Sequence, residues 1–194
     1  MDDHSTDSSR KYINNWISKQ SLSCESLFLN QNYGKKRAID LGVQKSSSEF
    51  VMIMDADVSF NDVYFDSIKK NIDLSHDLYL TSVIETNGVV WSRILSCSIS
   101  VISLGLANLG IPILANGAGL IFRRKSYNEL NPFYSNFNIS SGDDMYLLNS
   151  FYSNNKSVKT LFNNNLVIKT QGSGDIQDLI ERSLRWSGKM KMKG

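Results

Sequence analysis

Apolar and polar positions along the chain follow helical and strand spacings in turn. Phe50–Met54 is an unbroken apolar run, as expected of a central strand that is covered on both faces. Other stretches repeat apolar residues at helical spacing after a capping residue such as Ser8 or Ser9. The pattern predicts helices over about 8–19, 35–45, 63–70, 143–152 and 175–190, and strands over 27–29, 50–54, 78–84 and 119–122. This alternation predicts an α/β domain with a mostly parallel sheet flanked by helices.

One long stretch, Ile94–Phe122, contains no charged residue over its 29 positions. It is long enough to span a bilayer, but serines, two asparagines, a proline and several glycines interrupt it. We therefore expect a buried or membrane-surface helix to about Asn108, followed by a turn and a core strand. A transmembrane span is the less favoured alternative.

The start of the chain, Met1–Asp7, has the pattern of a strand end that leads into a helix, but no strand precedes it. Ligands of doubly wound sheets bind at the carboxyl ends of strands, so the chain begins at a ligand-facing edge. We expect that the first strand or strands are missing and that Met1 is internal to a longer reading frame.

Size and composition suit a single partial domain over residues 1–194, with 41% hydrophobic residues. A net charge of +2 gives no reason to expect a nucleic-acid partner. The two cysteines, Cys24 and Cys97, lack metal-ligand spacing, which favours a reducing compartment, and the N-terminus lacks the pattern of a signal peptide.

The strongest chemical signal is Asp55-Ala56-Asp57, directly after the apolar strand. Two carboxylates separated by one residue can both reach a Mg²⁺ or Mn²⁺ ion that bridges nucleotide phosphates. For this motif alone, a strand-end turn with solvated acids is the alternative.

Two further motifs suit a nucleotide. Asp2 and Asp3 lie at the predicted strand end, where a carboxylate can accept hydrogen bonds from a base or ribose, or simply cap a helix. Lys35 follows Gly34 at a helix start, a position that favours phosphate, although a solvated basic helix start is the commoner case.

Two more motifs suit catalysis. Gly142-Asp143-Asp144 opens a helix, where one acid can cap the helix and the other can serve as a general base. Arg182 and Arg185 share one helical face, suited to a diphosphate, and Trp186 offers a surface for a sugar ring. A plain helix cap and a plain amphipathic helix are the respective alternatives.

The order and spacing of these motifs resemble family 2 glycosyltransferases of the GT-A fold. The order is Asp-Asp-x-Ser-x-Asp, Gly-Lys-x-x-Ala, Asp-x-Asp, a glycine-rich strand ending in Arg-Arg, an acid pair and x-x-Arg-Trp. Within the family the chain looks most like the processive, membrane-associated cellulose, hyaluronan and poly-N-acetylglucosamine synthases. The resemblance runs from Asp2 to about Lys189.

The resemblance implies a role for each motif in transfer from a nucleotide-sugar, by implication UDP-linked, to a saccharide or lipid-linked acceptor. It implies inversion, assistance by Mg²⁺ or Mn²⁺, and a place at the cytoplasmic face of the cell membrane through flanking segments. Asp57 would bind the metal and Asp144 would be the base. The nucleotide would contact Asp3 or its neighbour Asp2, Lys35, Asp55 and, at the diphosphate, Arg185. The acceptor side would comprise Asn116, Gly117, Gly119, Asp143 and Trp186.

The chain departs from the family pattern at two motifs. Asp143 stands where the family usually has Glu, and Arg182 stands where it usually has Gln. Two other functions stay open. The chain could be an inactive truncated remnant, or a haloacid-dehalogenase-like phosphatase with Asp55 and Asp57 as nucleophile and acid, followed by Thr81 or Ser82, Lys125 and the acid pair.

Overall fold

A computed structural model describes residues 1–21, 23–175, 177–178, 180–181 and 184. They form two compact units, the first made of Met1–Ser47 with Phe133–Ser140, and the second of Ser48–Pro132 with Ser141–Gly194. The single domain that the sequence predicts stays a prediction. The predicted helix over 175–190 lies largely outside the described residues.

The first unit contains two helices, α1 (Ser9–Ile17) and α2 (Lys35–Lys45). The predicted strand over 27–29 is present only as an isolated parallel bridge between Asp2 and Phe28. Backbone bonds from Asp2 N–H to the Leu27 carbonyl, 2.8 Å, and from Leu29 N–H to the Asp2 carbonyl, 3.0 Å, form this bridge. The first residues of the chain are thus held beside the segment that leads to α2.

The second unit is built on a five-stranded sheet. Its strands are β1 (Phe50–Ile53), β2 (Leu78–Glu85), β3 (Leu120–Arg123), β4 (Val158–Leu161) and β5 (Val167–Thr170). Its helices are α3 (Tyr64–Asn71), α4 (Val90–Asn108), α5 (Arg124–Leu130) and α6 (Asp143–Ser153). β1 pairs with β3 and β3 with β2, while β4 and β5 pair with the first and second halves of β2.

The sheet is only partly parallel, which corrects the expectation of a mostly parallel one. β4 and β5 run parallel to β2, whereas β3 runs antiparallel to both β1 and β2. The physical reason is the connection: residues 109–119 return the chain to the end of β1 before β3 begins, with Ile53 opposite Leu120. A strand that enters the sheet there must run back against β1.

A hydrophobic core joins one face of this sheet to α3. It includes Tyr64, Ile68, Tyr79, Ile121 and Ile168, each buried, and Phe50 packs edge-on against Tyr79 with ring centroids 6.0 Å apart. Among the described strands β1 pairs only with β3, so it lies at the edge of the sheet and not at its centre as the apolar run predicts. Three of its four residues are only partly buried. The core therefore fixes where β1 ends and where the acidic segment after it begins.

The helix α4 covers the other face of β2 and ends at Asn108, as the sequence predicts. It is the one helix of the described residues that is long and apolar enough to cross a membrane, with a mean hydropathy of 1.5. Its orientation is unusual for a surface helix, because Ser92, Ser96 and Ser103 are buried while Trp91 and Ile102 are exposed.

Candidate functional site

The candidate site in the second unit lies at the end of β1. The strand stops at Ile53, and Asp55 and Asp57 follow in a turn. Because Ile53 is opposite Leu120 in antiparallel register, the segment Asn116–Gly119 before β3 lies at this same edge. The structure therefore brings together the acidic motif and the glycine-rich segment that the sequence assigned to the metal and the acceptor.

The glycine-rich segment is a tight turn held against β2. Gly119 N–H donates to the Asn116 carbonyl at 3.1 Å, and Ala118 N–H donates to Asn116 Oδ1 at 3.0 Å. The Thr81 hydroxyl donates to the Gly119 carbonyl at 2.8 Å. A Cβ on Gly119 would lie 2.1 Å from Thr81 Oγ1, so only glycine allows this close approach. Gly117 is buried, and Asn116 is exposed at the tip.

The two carboxylates after β1 differ in exposure. Asp55 is half-buried, and Asp57 is exposed. Among the described residues no group of three or more His, Cys, Asp or Glu side chains is placed to hold an ion. Two adjacent carboxylates still fit a hard divalent cation whose other ligands are phosphate oxygens and water, the usual mode for a nucleotide-bound ion. Asp57, the more accessible of the two, fits the direct ligand.

The acid pair lies in the first turn of α6. Asp143 and Asp144 are both buried, and Asp144 Oδ1 accepts a hydrogen bond from Met145 N–H at 2.9 Å. The capping position belongs to Gly142, with φ at 78°, rather than to Asp143 as the sequence suggested. Because the left-handed turn at Gly142 ends directly before Asp143, the helix starts one residue earlier than a cap at Asp143 would allow, and both acids lie inside it.

The first unit contains the other predicted donor residues, and there both Asp2 and Asp3 bind their own chain. Buried Asp2 accepts bonds from the Ser5 hydroxyl and backbone and from Arg10 Nε at 3.0 Å. The Ser5 hydrogen bonds and the Arg10 guanidinium lower the pKa of Asp2, although burial opposes the shift. Asp2 is therefore an ionised carboxylate with a structural partner.

Asp3 holds the glycine turn in front of Lys35. Its two carboxylate oxygens accept bonds from Tyr33 N–H and Gly34 N–H, each at 2.8 Å. Gly34 has φ at 83°, and α2 begins at the next residue with the exposed Lys35. The structure thus joins two motifs that lie thirty residues apart, and Asp3 positions the basic helix start.

A pocket of about 350 Å³ beside this turn was not predicted from the sequence. It is lined by Phe28, Leu29, Asn30, Tyr33, Arg37 and Leu41. The Arg10 guanidinium lies 5.4 Å from the Phe28 ring centroid, and that of Arg37 lies 4.2 Å from the Phe137 ring centroid. The only sequence signal for it is the pair of aromatic residues flanking the glycine turn, Phe28 and Tyr33.

Arg185 and Trp186, predicted to bind the diphosphate and the acceptor sugar, lie outside the described residues. Their roles stay predictions.

Comparison with known proteins identifies the family. The family model described as glycosyl transferase family 2 matches residues 1–137. A comparison with curated protein sequences finds no significant match.

One solved structure supports the fold, and a second is less similar. The mannosyltransferase PcManGT from Pyrobaculum calidifontis, in complex with GDP-Man and Mn²⁺, aligns with a TM-score of 0.61 at 15% identity, over 87% of this chain and 45% of that chain. Mannosyl-3-phosphoglycerate synthase from Rubrobacter xylanophilus aligns with a TM-score of 0.42 at 15% identity, over 81% and 53% of the two chains. The chain thus spans about half the length of these structures.

The expected GT-A architecture is therefore confirmed. The more specific likeness of the chain to processive synthases stays a prediction. The family match includes the Asp2–Asp7, Lys35, Asp55–Asp57 and Asn116–Gly119 motifs. The chain belongs to glycosyl transferase family 2.

Proposed function

We propose that this domain transfers a sugar from a nucleotide-sugar, with UDP as the nucleotide, to a saccharide or lipid-linked acceptor with inversion at the sugar. The observation that supports it most is the sheet edge where Asp55 and Asp57 stand beside Asn116–Gly119, in a chain of this family. This edge combines acids for a cation with a backbone turn open to a ligand.

On the donor side, Asp57 holds Mg²⁺ or Mn²⁺ and Asp55 contacts the nucleotide. When bound, the cation neutralises charge on the diphosphate and makes it a better leaving group. The mannosyltransferase complex, which contains Mn²⁺, supports a divalent ion. Lys35 adds a positive charge at a helix start, and Asp3 sets the position of the turn in front of it, while Asp2 is held by Arg10.

The pocket beside that turn suits the nucleoside. Phe28 and Tyr33 offer flat apolar surface, and Arg37 and Asn30 offer hydrogen-bonding groups at its lining. These are the groups that a base and a ribose require. The base itself is the open point, because the similar mannosyltransferase is in complex with a GDP-linked sugar.

On the acceptor side, Asp144 acts as the general base. It takes the proton from an acceptor hydroxyl, whose oxygen attacks the anomeric carbon as the bond to the diphosphate breaks on the opposite face. Bonding and cleavage on opposite faces give inversion. Arg185 stabilises the leaving diphosphate, and Trp186 stacks on the acceptor sugar. Asn116, Gly117, Gly119 and Asp143 line the acceptor side.

The proposed cellular setting is the cytoplasmic face of the cell membrane, reached through flanking segments, in polysaccharide synthesis. Two cysteines without metal-ligand spacing and an apolar α4 support this proposal. Membership of family 2 removes the ground for the phosphatase alternative, which left the Asp-Asp-x-Ser-x-Asp motif unexplained. Whether the chain is an inactive remnant is one outcome of the donor panel.

The test is a donor panel. We expect release of a nucleoside diphosphate from a UDP-sugar in the presence of Mn²⁺ and a saccharide acceptor, measured by coupled detection of the free diphosphate. If a GDP-sugar serves as the donor and a UDP-sugar does not, only the proposed nucleobase of the donor is wrong. Inorganic phosphate released from small phosphoesters would indicate the phosphatase. A folded chain that turns over no donor would be the inactive remnant.

A further inference from the structure

The helix α4 buries several serines against the protein and leaves many of its apolar side chains exposed. The Ser92 hydroxyl donates to the buried Glu85 carboxylate, and Ser100 Oγ lies 3.3 Å from Ser82 Oγ of β2. Ser96 and Ser103 are buried on this same side. A surface helix on water normally has the opposite arrangement, with its apolar stripe inward.

The outward side has apolar residues at helical spacing, interrupted by the exposed Ser98, and we name it the α4 apolar face. It comprises Val90, Trp91, Ile94, Leu95, Val101 and Ile102. Trp91 is 70% exposed and Ile102 is 58% exposed. The stripe runs from Val90 to Ile102, over about 20 Å of the helix. Contiguous exposed apolar surface of this kind marks an interaction site.

Two exposed basic residues lie near the stripe. The chain contains no Asp or Glu from Thr86 to Asn128, and Arg93 is exposed on α4 itself. Lys169, also exposed, lies opposite Ile84 in the parallel pairing of β5 with β2. Its neighbour Ile168 points into the core with α3, so Lys169 points to the face that α4 covers.

We propose that the α4 apolar face lies on a phospholipid membrane surface, with Arg93 and Lys169 at anionic headgroups. Helices that lie in a membrane interface combine an apolar face with cations at its edge, as here. Trp91 next to Arg93 suits the boundary between headgroups and acyl chains. The helix lies on the membrane rather than across it, because its serine side is bonded to β2. This surface is independent of the proposed transferase chemistry and of any flanking segment.

The test is cosedimentation of the chain with vesicles of phosphatidylcholine, alone and mixed with phosphatidylglycerol. The double variant Ile94→Gln/Ile102→Gln should partition about tenfold more weakly than the parent, because two buried aliphatic side chains are lost. The control Val63→Gln/Leu74→Gln alters two residues of similar exposure, 47% and 57%, around α3 on the opposite side of the sheet, and should bind like the parent. Anionic lipid should strengthen the binding of the parent, and Arg93→Gln should reduce that gain.

A second measurement reports the depth of Trp91 in the membrane and does not depend on a variant that binds more weakly. Acyl chains brominated near the headgroup should quench tryptophan fluorescence of the parent, and Trp91→Phe should remove most of that quenching while Trp16→Phe should not. The proposal is overturned if the parent stays in the supernatant with both vesicles, or if the double variant binds as well as the parent. It is also overturned if sedimentation velocity without lipid shows a parent dimer that Ile94→Gln/Ile102→Gln converts to a monomer, since the face would then serve a second copy.

Discussion

At the scale of single residues, the acid pair of α6 carries the chemical proposal. Asp144 already accepts a bond from Met145 N–H, and Asp143 is buried beside it. The sequence indicates the pair, but only the structure shows that the helix begins at the first acid and that Gly142 holds the capping position.

Substitutions of Asp143 and Asp144 should have different effects on turnover. Asp144→Asn retains size and hydrogen-bonding shape but removes the base, so turnover should fall by about 10²–10⁴-fold with donor binding nearly unchanged. Asp143→Asn should cost much less in rate. Steady-state turnover and donor affinity measure both variants. If Asp143→Asn proves the slower enzyme, or Asp144→Asn matches the parent, the assignment of the base is wrong.

Asp77 offers a residue-scale prediction about pH. Burial alone would raise the pKa of this half-buried carboxyl, but bonds from Ser126 Oγ and from the backbone and hydroxyl of Ser157 lower it. A carboxyl with a lowered folded-state pKa stabilises the fold above its unfolded value, about 3.9, and loses that contribution as pH falls through the folded value.

The free energy of unfolding should therefore decline as pH falls from about 5 to about 3, and more gently in Asp77→Asn than in the parent. Denaturant melts at a series of pH values measure this. Equal slopes in the two proteins would show that Asp77 does not contribute to the acid dependence.

At the scale of elements, the hydrophobic pattern predicts what local sequence controls. The apolar run Phe50–Met54 and the helical spacings gave β1, α2, α3 and α6 close to their observed bounds. β4 and β5 were missed because each has only four residues and combines a lysine with half-buried positions, so no clear period appears. The direction of β3 depends on the path of residues 109–119, which the pattern does not encode.

In the candidate site, too, local sequence predicts some features, and others depend on distant parts of the chain. Asp55, Asp57 and Asn116–Gly119 flank strands that the sequence predicts, so their shared edge followed once β3 was paired with β1. The partners of Asp3 could not be predicted, because thirty residues separate it from Tyr33. Serines on the inner side of α4 were also unexpected, since their burial depends on partners in β2.

Gly119 provides an element-scale test, because β2 and β3 meet there at the site. In Gly119→Ala the new Cβ would lie 2.1 Å from Thr81 Oγ1 and 2.6 Å from Ile168 Cδ1, so core atoms must shift. The variant should lose about 1–3 kcal/mol of unfolding free energy in a thermal or denaturant melt.

Gly105→Ala is the matched control. A Cβ there meets nothing within 4 Å, and the residue lies inside α4, so alanine should be neutral or stabilise by up to about 1 kcal/mol. If both alanines had the same effect, the close approach at Gly119 would not be what requires glycine.

At the scale of the whole molecule, each of the two units has its own features that suit a nucleotide-sugar donor. The first unit has a glycine turn held by Asp3 and a pocket beside it, and the second has Asp55 and Asp57 at the sheet edge. The family match spans motifs from both units. The account requires that a nucleoside diphosphate binds with a cation at Asp57.

The most direct measurement is calorimetric titration of the chain with UDP, and in parallel with GDP, with and without Mn²⁺. The account predicts binding of a nucleoside diphosphate that depends on Mn²⁺ and is abolished in Asp57→Ala, while the circular dichroism and melting of that variant stay those of the parent. Binding that is the same without Mn²⁺ and in Asp57→Ala, or no binding of either diphosphate by the folded chain, would contradict it.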